Sequence, residues 1–583
     1  ELQTIWKEGV AFSVDLLGEA CVSNVEAEEY RQRYLDLLVN LPETVSSWKE
    51  NTILESDHIG SIPRTNISIK ISSLFANTDP IAHDLSVDGL FKALRPILEE
   101  AEKNNVFINF DMEQFEYKDL TLNLFMKCCD EINFTAGIAM QAYLRSGDDD
   151  AKKIIEWSKR TGRVVTVRLV KGAYWDYETI HAEEMGWPVP VWSRKVDTDA
   201  CFERMAALFI ESTPKTQGVG GIKLALGSHN IRSIAAALAL LEINDLPVEA
   251  LELQMLRGMA DQLKAGVLED GLRLREYVPV GEMIPGMAYL VRRLLENTSN
   301  ESWLRSSFVD DANTSVLLAS PHIQHTEKDP GILRIQEGPE RHHLSPAVIG
   351  VGDGRPFFTE SYRDFSIAKE RDNFATAIAA SIVPEVTRLR TKEEIELHIA
   401  KAHEAFPAWR DEDPLVRSEV LVKAGDLMRQ RRDELCGVVM QEAGKTWREA
   451  DSEVCEAIDF CDYYARMAPP LFEYERLGEF IGELDQQFYQ PRGVCAVISP
   501  WNFPSAICCG MTVAALVTGN TVLVKPAGQT VGIAKLICEI LWEAGAPKDV
   551  LHFVAGPGSI IGSAMVRDPR VAVIAFTGSK GVG

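Results

Sequence analysis

No stretch of this 583-residue chain holds the roughly 18 to 20 successive apolar residues that a bilayer-spanning helix requires, so a transmembrane protein is not expected, while attachment to a membrane surface stays open. No run rich in Lys and Arg occurs either, and 86 acidic against 60 basic residues leave a formal charge of −26. Phosphate backbones are held by clustered cations, so no nucleic-acid partner is expected. The eleven cysteines are scattered; Cys128-Cys129 and Cys508-Cys509 are adjacent, yet no Cys-x-x-Cys pair occurs. Neither a zinc site nor a disulfide framework is indicated, and a reducing cytoplasm is the expected compartment. Secretory signal, internal repeat and low-complexity tract are all lacking, and a chain that opens on Glu1 rather than Met leaves room for residues before it.

What is present is an ordinary globular composition, 46% hydrophobic and 25% charged, on a chain too long for one core. Apolar, β-rich runs recur at Val10 to Asp15, Asn66 to Ile71, Val106 to Asp111, Thr135 to Gln141, Val164 to Val170, Ile222 to Leu226, Ala250 to Met255 and Glu276 to Val280. Segments of helical period alternate with them: Glu26 to Leu41, Val87 to Asn104, Asp148 to Arg160, Thr198 to Glu211 and Met287 to Glu296. Eight strands alternating with helices over about 290 residues have the count and size of a (βα)8 barrel, with an open doubly wound sheet as the competing layout. Polar residues close the runs, among them Lys70, Asp111, Gln141, Arg168, Gln254 and the following His229. A closed barrel gathers such strand ends around one mouth, where its chemistry sits.

Two stretches stand out. Val167 to Glu178 reads as a buried strand that delivers Arg168, Lys171, Gly172 and the rings of Tyr174 and Trp175 to one sheet edge, as a pocket for a flat anionic cofactor would. In a helix, Tyr289, Arg292, Arg293 and Glu296 share one face, and paired guanidinium forks suit a carboxylate, so this segment reads as a lid over the barrel mouth.

Lys70 in Ile-Ser-Ile-Lys-Ile-Ser-Ser, Asp111 in Asn-Phe-Asp-Met-Glu, Gln141-Ala-Tyr, Arg168-Leu-Val-Lys-Gly-Ala-Tyr-Trp, Ser228-His229-Asn230 and Tyr289-x-x-Arg292-Arg293-x-x-Glu296 resemble the proline dehydrogenase half of the bifunctional proline utilisation A family, from about Phe12 to Asn297. The resemblance implies a distorted (βα)8 barrel with noncovalent FAD that oxidises L-proline to Δ1-pyrroline-5-carboxylate and passes electrons to a membrane quinone. It implies that Arg168 lies beside flavin N5 and Gln141 at the isoalloxazine edge, with Val170, Gly172, Ala173 and Trp175 along the cofactor. Lys195, Thr198, His229 and Asn230 would serve its phosphate and adenosine portions; Gln254, Leu256 and Glu296 are counted with the cofactor contacts. Lys70, Arg292 and Arg293 would hold the substrate carboxylate, Tyr277 and Tyr289 would shape the pocket, Asp111 would orient Lys70 or Arg168, and Glu19 would pair with Arg292 as a gate.

From about Asn300 to Glu370 the period is lost and Pro, Gly, His and Asp accumulate, as a connector requires; His322 and His325 lack acidic or cysteine partners at ligand spacing and read as loop residues. Helices follow at His398 to Trp409, Val416 to Cys436 and Trp447 to Met467, then strands and helices alternate: Gly493 to Ser499, Ala506 to Thr518, Thr521 to Lys525, Val531 to Ala544, Val550 to Val554 and Val571 to Phe576. That alternation argues a parallel, dinucleotide-type sheet. The four expected parts are thus a barrel at 1–300, a linker at 301–370, a helical part at 371–480 and a partial Rossmann-like domain at 481–583.

The second half resembles the N-terminal part of the aldehyde dehydrogenase superfamily. The resemblance implies that Asn502 donates to an oxyanion, Lys525 reaches the adenosine ribose of NAD, and Gly578 and Ser579 lie by the pyrophosphate and nicotinamide. Gly528 stands where related semialdehyde dehydrogenases carry Glu, which puts the ribose contact in doubt. The chain stops at Gly583, ahead of that family's glutamate and cysteine nucleophile, so the parallel sheet is expected to be incomplete and the chain by itself should not oxidise aldehydes. Cys508 and Cys509 sit in an apolar helix and read as core residues. A homo-oligomer is expected. Two other readings stay open: another flavin barrel such as a methylenetetrahydrofolate reductase, and a non-catalytic scaffold.

Overall fold

The computed structural model describes residues 1–18, 20–281, 286–287, 291, 318–324, 351–352, 354 and 357–581. They fall into two compact units, one of Glu1–Glu184 with Pro188–Leu333 and the other of Met185–Trp187 with Arg334–Gly583. Among the described residues no helix is long and apolar enough to cross a membrane.

The first unit is a closed barrel of eight parallel strands: β1 Ala11–Leu16, β2 Asn66–Ile69, β3 Phe107–Phe110, β4 Thr135–Gln141, β5 Val164–Val170, β6 Gly221–Gly227, β7 Leu251–Leu256 and β8 Leu274–Val280. The ring closes where β1 pairs with both β8 and β2, which decides the barrel over the open sheet. Each strand is short and apolar enough to be buried, and the helices between them, such as α1 Asn24–Ser46, α2 His83–Lys103, α3 Gly147–Thr161 and α4 Lys195–Glu211, cover the outside. Phe12, Val14, Ile67, Ile69, Ile108, Phe110, Val167, Leu169, Leu253 and Met255 are buried in that core.

On six of the strands polar residues stand between them: Ser13 and Asp15, Asn66 and Ser68, Asn109, Arg168, Glu252 and Gln254, Arg275 and Tyr277. Successive strand residues point to opposite faces, so this second set faces the barrel interior. Arg168 on β5 confirms it, because it reaches Ser13 on β1 and Ser68 on β2, on the far side of the ring. A barrel of this class commonly fills its interior with branched apolar side chains. Here a hydrogen-bonded polar network takes that place.

The strand carrying Arg168 runs Val164–Val170, as expected from the apolar run, and Trp175–Met185 beyond its turn is a helix.

In the second unit, α5 Lys392–Arg410 and α6 Trp447–Met467 each begin on a capping box, Thr391 with Glu394 and Thr446 with Glu449. The single helix expected from Val416 to Cys436 is two, Pro414–Gln430 and Arg432–Ala443, broken at Arg431. Four parallel strands follow, β9 Val494–Ile498, β10 Thr521–Lys525, β11 Leu551–Phe553 and β12 Val571–Phe576, in the spatial order β11-β10-β9-β12. The helices Ala506–Val517 and Val531–Glu543 connect the first three. This order places two successive crossovers on one side of β9 and the next strand on the other, a topological switch beside which dinucleotides bind.

Candidate active site

Arg168 is the hub of the barrel. It is 5% exposed, and its guanidinium spends four contacts on the protein: Nε to Gln254 Oε1 at 2.6 Å, Nη1 to Asp111 Oδ1 at 2.7 Å, and Nη2 to Ser13 Oγ at 3.2 Å and Ser68 Oγ at 3.1 Å. Its Cζ also lies 5.1 Å from the centre of the Tyr277 ring. Gln254 is fixed in turn by Glu252, which holds Arg275 through two oxygens at 2.8 and 3.0 Å. Burial opposes ionisation of Glu252, but the Arg275 guanidinium outweighs it and brings the carboxyl down to about 2.

Asp111 joins this hub to the mouth. Besides Arg168, its Oδ2 accepts the Tyr277 hydroxyl at 2.7 Å and stands 3.7 Å from Lys70 Nζ. Lys70 pairs directly with Asp15, a residue the strand-end pattern passed over. Burial disfavours the Lys70 charge, but Asp15 and Asp111 outweigh that cost and raise its affinity for the proton above the usual lysine range. Two carboxylates thus face two cations in one buried cluster. Sequence reading also missed Ser13, Ser68, Asn109, Glu252 and Arg275; the period-two recurrence of polar residues inside apolar strands was the signal that could have found them.

Other predicted positions gather near the mouth. Gln141 donates to Glu113 O at 3.2 Å, while its buried Oε1 has no hydrogen-bond partner among the described residues. Gly172 has φ +134°, and a Cβ there would lie 2.4 Å from the Tyr143 ring, so this ring and the backbone turn require the glycine. Val170 and Ala173 are half-buried, and Trp175 is exposed and donates to Trp192 O at 2.8 Å. His229 Nε2 accepts the Leu256 N–H at 3.3 Å, and Asn230 caps the helix Ile231–Ile243 through Ser233 N. Thr198 is buried in α4. Lys195 lies 2.5 Å from Asp199, which also pairs with Lys171, the basic residue left without a role by the sequence. Glu19, Tyr289, Arg292, Arg293, Glu296 and His325 lie outside the described residues; His322 is within 3.3 Å of Glu203.

A flavin needs a hydrogen-bonding partner at its ring edge and fixed donors near its redox centre. The orphaned Gln141 Oε1 and the immobilised Arg168 fit that need.

In the second unit Asn502 is exposed in the turn after β9, and Gly578 and Ser579 are exposed after β12. Lys525 ends β10 and is 8% exposed. Its ammonium reaches only Pro526 O, at 3.2 Å, and pairs with no carboxylate among the described residues. Burial pushes it below the usual lysine range. A buried cation of this kind at the carboxyl edge of a parallel sheet fits a polar ligand such as a dinucleotide. Cys508 and Cys509 are fully buried in Ala506–Val517, and burial raises the Cys508 thiol to about 11.

Comparison with known proteins follows the same division. Residues 1–306 match the proline dehydrogenase family and residues 377–583 the aldehyde dehydrogenase family, which imply flavin and NAD-type cofactors. The bifunctional protein PutA of Klebsiella aerogenes is 30% identical over 99% of this chain and 44% of its own length, so the chain spans less than half of that relative. A 1-pyrroline-5-carboxylate dehydrogenase of Geobacillus thermodenitrificans is 46% identical over 33% of this chain and 37% of its own length. The crystal structure of proline utilization A from Bdellovibrio bacteriovorus, inactivated by N-propargylglycine, superposes with a TM-score of 0.90 at 38% identity, over 100% of this chain and 62% of that one. The chain belongs to the proline dehydrogenase family, and it carries behind its barrel an aldehyde dehydrogenase segment in the order found in the bifunctional PutA proteins.

Proposed function

We propose that the barrel oxidises L-proline to Δ1-pyrroline-5-carboxylate with FAD, and that the second unit contributes the NAD-binding part of a glutamate semialdehyde dehydrogenase whose remainder belongs to the longer protein. The observation that carries this reading is the buried network Gln254–Arg168–Asp111–Tyr277 beside the Asp15–Lys70 pair, in a chain matched to proline dehydrogenases over residues 1–306. The flavin, when bound, supplies the two-electron acceptor. The chain's own residues hold and orient. Lys70, kept cationic, receives the substrate carboxylate together with Arg292 and Arg293. Arg168, clamped on four sides, presents fixed positive charge beside N5, where negative charge develops. Asp111 keeps both cations and the Tyr277 phenol in register, so that C5 of proline is held over the acceptor. Tyr289 closes the pocket, with Glu19 pairing Arg292 as its gate.

Gln141, Val170, Gly172, Ala173, Trp175, Gln254, Leu256 and Glu296 contact the flavin end, and Lys195, Thr198, His229 and Asn230 the phosphate and adenosine end. In the second unit Asn502 donates to the oxyanion, Lys525 serves the ribose, and Gly578 and Ser579 face the pyrophosphate and nicotinamide. We read residues 1–300, 301–370, 371–480 and 481–583 as barrel, linker, helical part and nucleotide-binding part.

The electrons leave to a membrane quinone, with the protein cytoplasmic and attached only at the inner membrane face. A homo-oligomer is supported by the hairpin around Glu475–Arg476 and Gln486–Gln487, where Tyr474, Leu477, Phe480, Ile481, Leu484 and Phe488 are exposed.

Adding L-proline anaerobically to the purified, FAD-loaded chain should bleach its flavin absorbance within the mixing time of a stopped-flow instrument or shortly after. A flavin that stays oxidised would sink the proline reading.

A further inference from the structure

Glu113 is a buried acid with no part in the proposed reaction. It lies just beyond β3 and is 6% exposed. Its two oxygens are spent on one neutral residue: Oε1 accepts the Ser72 N–H at 3.2 Å and Oε2 the Ser72 hydroxyl at 2.5 Å. Burial pushes the carboxyl above its usual range, against the Ser72 hydrogen bonds and the Lys70 charge. A buried carboxyl that no directly paired cation compensates costs stability, so its use lies in what it holds.

What it holds is the turn that carries Lys70. Ile71–Ser73 is a short 3-10 turn after β2 with Lys70 as its N-cap, and Ser73 Oγ donates to the Lys70 carbonyl at 2.8 Å. Ser72, in the middle of that turn, is 4% exposed and gives both of its donors to Glu113. Its carbonyl accepts the Cys21 N–H at 3.0 Å and the Cys21 thiol at 3.4 Å, from the segment that follows β1. Lys70 is thus located twice, at its ammonium by Asp15 and Asp111 and at its backbone by the Ser72 turn.

Glu113 is itself fixed from the other side. In the ring β3 lies between β2 and β4, so a residue just beyond it can reach both neighbouring strand ends. Gln141, the last residue of β4, donates through Nε2 to Glu113 O at 3.2 Å. A carbonyl accepts only from the NH2 end of an amide, so this contact orients the side chain and leaves Gln141 Oε1 as the buried acceptor without a partner among the described residues.

We propose that Glu113 is a positioning residue for proline oxidation: through Ser72 it holds Lys70, which receives the substrate carboxylate, in register with Gln141 at the flavin edge. The inference rests on the reading of the barrel as a proline-oxidising flavin site and adds the contact that ties its carboxylate pocket to its cofactor edge. Register matters because a misplacement of about 1 Å in a substrate-holding group can cost about a hundredfold in rate.

Anaerobic bleaching of the FAD-loaded full chain, followed against L-proline concentration, tests it. Unfolded protein lowers only the amplitude, whereas a displaced Lys70 raises the half-saturating concentration of L-proline. Glu113→Ala is expected to raise that concentration by about tenfold, as loss of a contact to a charged group implies. Glu113→Gln, which can accept the Ser72 N–H and donate to its hydroxyl, should restore most of the difference. Ser72→Ala should shift it in the same direction, and the double variant should do no more than Glu113→Ala alone, because the two side chains form one contact. Normal bleaching with an unmoved half-saturating concentration in Glu113→Ala overturns the inference and keeps the proline reading. If Glu113→Ala fails to fold, Ser72→Ala decides by the same measure. Single effects that multiply in the double variant overturn the route through Ser72, and no bleaching of the unaltered chain by L-proline overturns both the inference and the reading beneath it.

Discussion

Asp111 shows how much one side chain can organise. It accepts from Arg168 and Tyr277 and faces Lys70, so its removal would leave two buried cations and a phenol short of a partner. Breaking a buried charge pair from one side costs about 3 to 5 kcal/mol. Asp111→Ala is expected to lower barrel stability in urea by that order and to slow proline-driven flavin bleaching at least a hundredfold, whereas Asp111→Asn, which keeps an acceptor for Arg168, should retain most of the stability and lose the rate. Equal rates for the unaltered chain and Asp111→Asn would show that the charge is dispensable. Lys70, Asp111, Gln141 and Arg168 were legible because each ends an apolar run. Asp15 closes the first run in the same way but was passed over, and only closure of the ring brings it to Lys70. Gly172 was read as making room for a ligand; the Tyr143 ring packed against it is a long-range contact that no local pattern carries.

Elements were more legible than their ends. The eight barrel strands and the four strands of the second sheet lie where apolar, β-branched runs stand. The break at Arg431 was hidden, since Gln430-Arg431-Arg432 contains neither Gly nor Pro, and the acidic Asp433 and Glu434 in the first turn of the second helix were its only local sign. One contact between elements also sets a pH response. His552 on β11 and His398 on α5 approach with Nδ1 atoms 3.2 Å apart. Burial first, and then the neighbouring His398, push the His552 imidazole down to about 4 from 6.5. Above pH 6.5 the folded and unfolded chains both hold it neutral. Between pH 6.5 and 4 only the unfolded chain takes the proton, so stability is full above the window and falls as pH drops through it. Thermal unfolding monitored by tryptophan fluorescence should therefore start earlier at pH 5 than at pH 7.5, and His552→Gln should reduce that gap; an undiminished gap would assign the pH response to other groups.

For the molecule as a whole, the formal charge of −26 is the dominant long-range property. It repels polyanions that come within about one Debye length of the surface and is screened beyond it. The chain is expected to pass unretained through a heparin column at about 0.1 M salt, where an ionic-strength-sensitive retention would reveal a cationic face that the net charge conceals. Composition, charge and the count of alternating strands and helices are sums or periods over neighbouring residues, so the sequence by itself determined the fold class, the family and the positions of the strand-end residues. The pairing of Lys70 with Asp15 and the clamp on Arg168 join residues 55 to 155 positions apart, and the polar interior of the barrel is assembled from several strands. Those were decided only by tertiary structure, because ring closure sets which distant side chains meet.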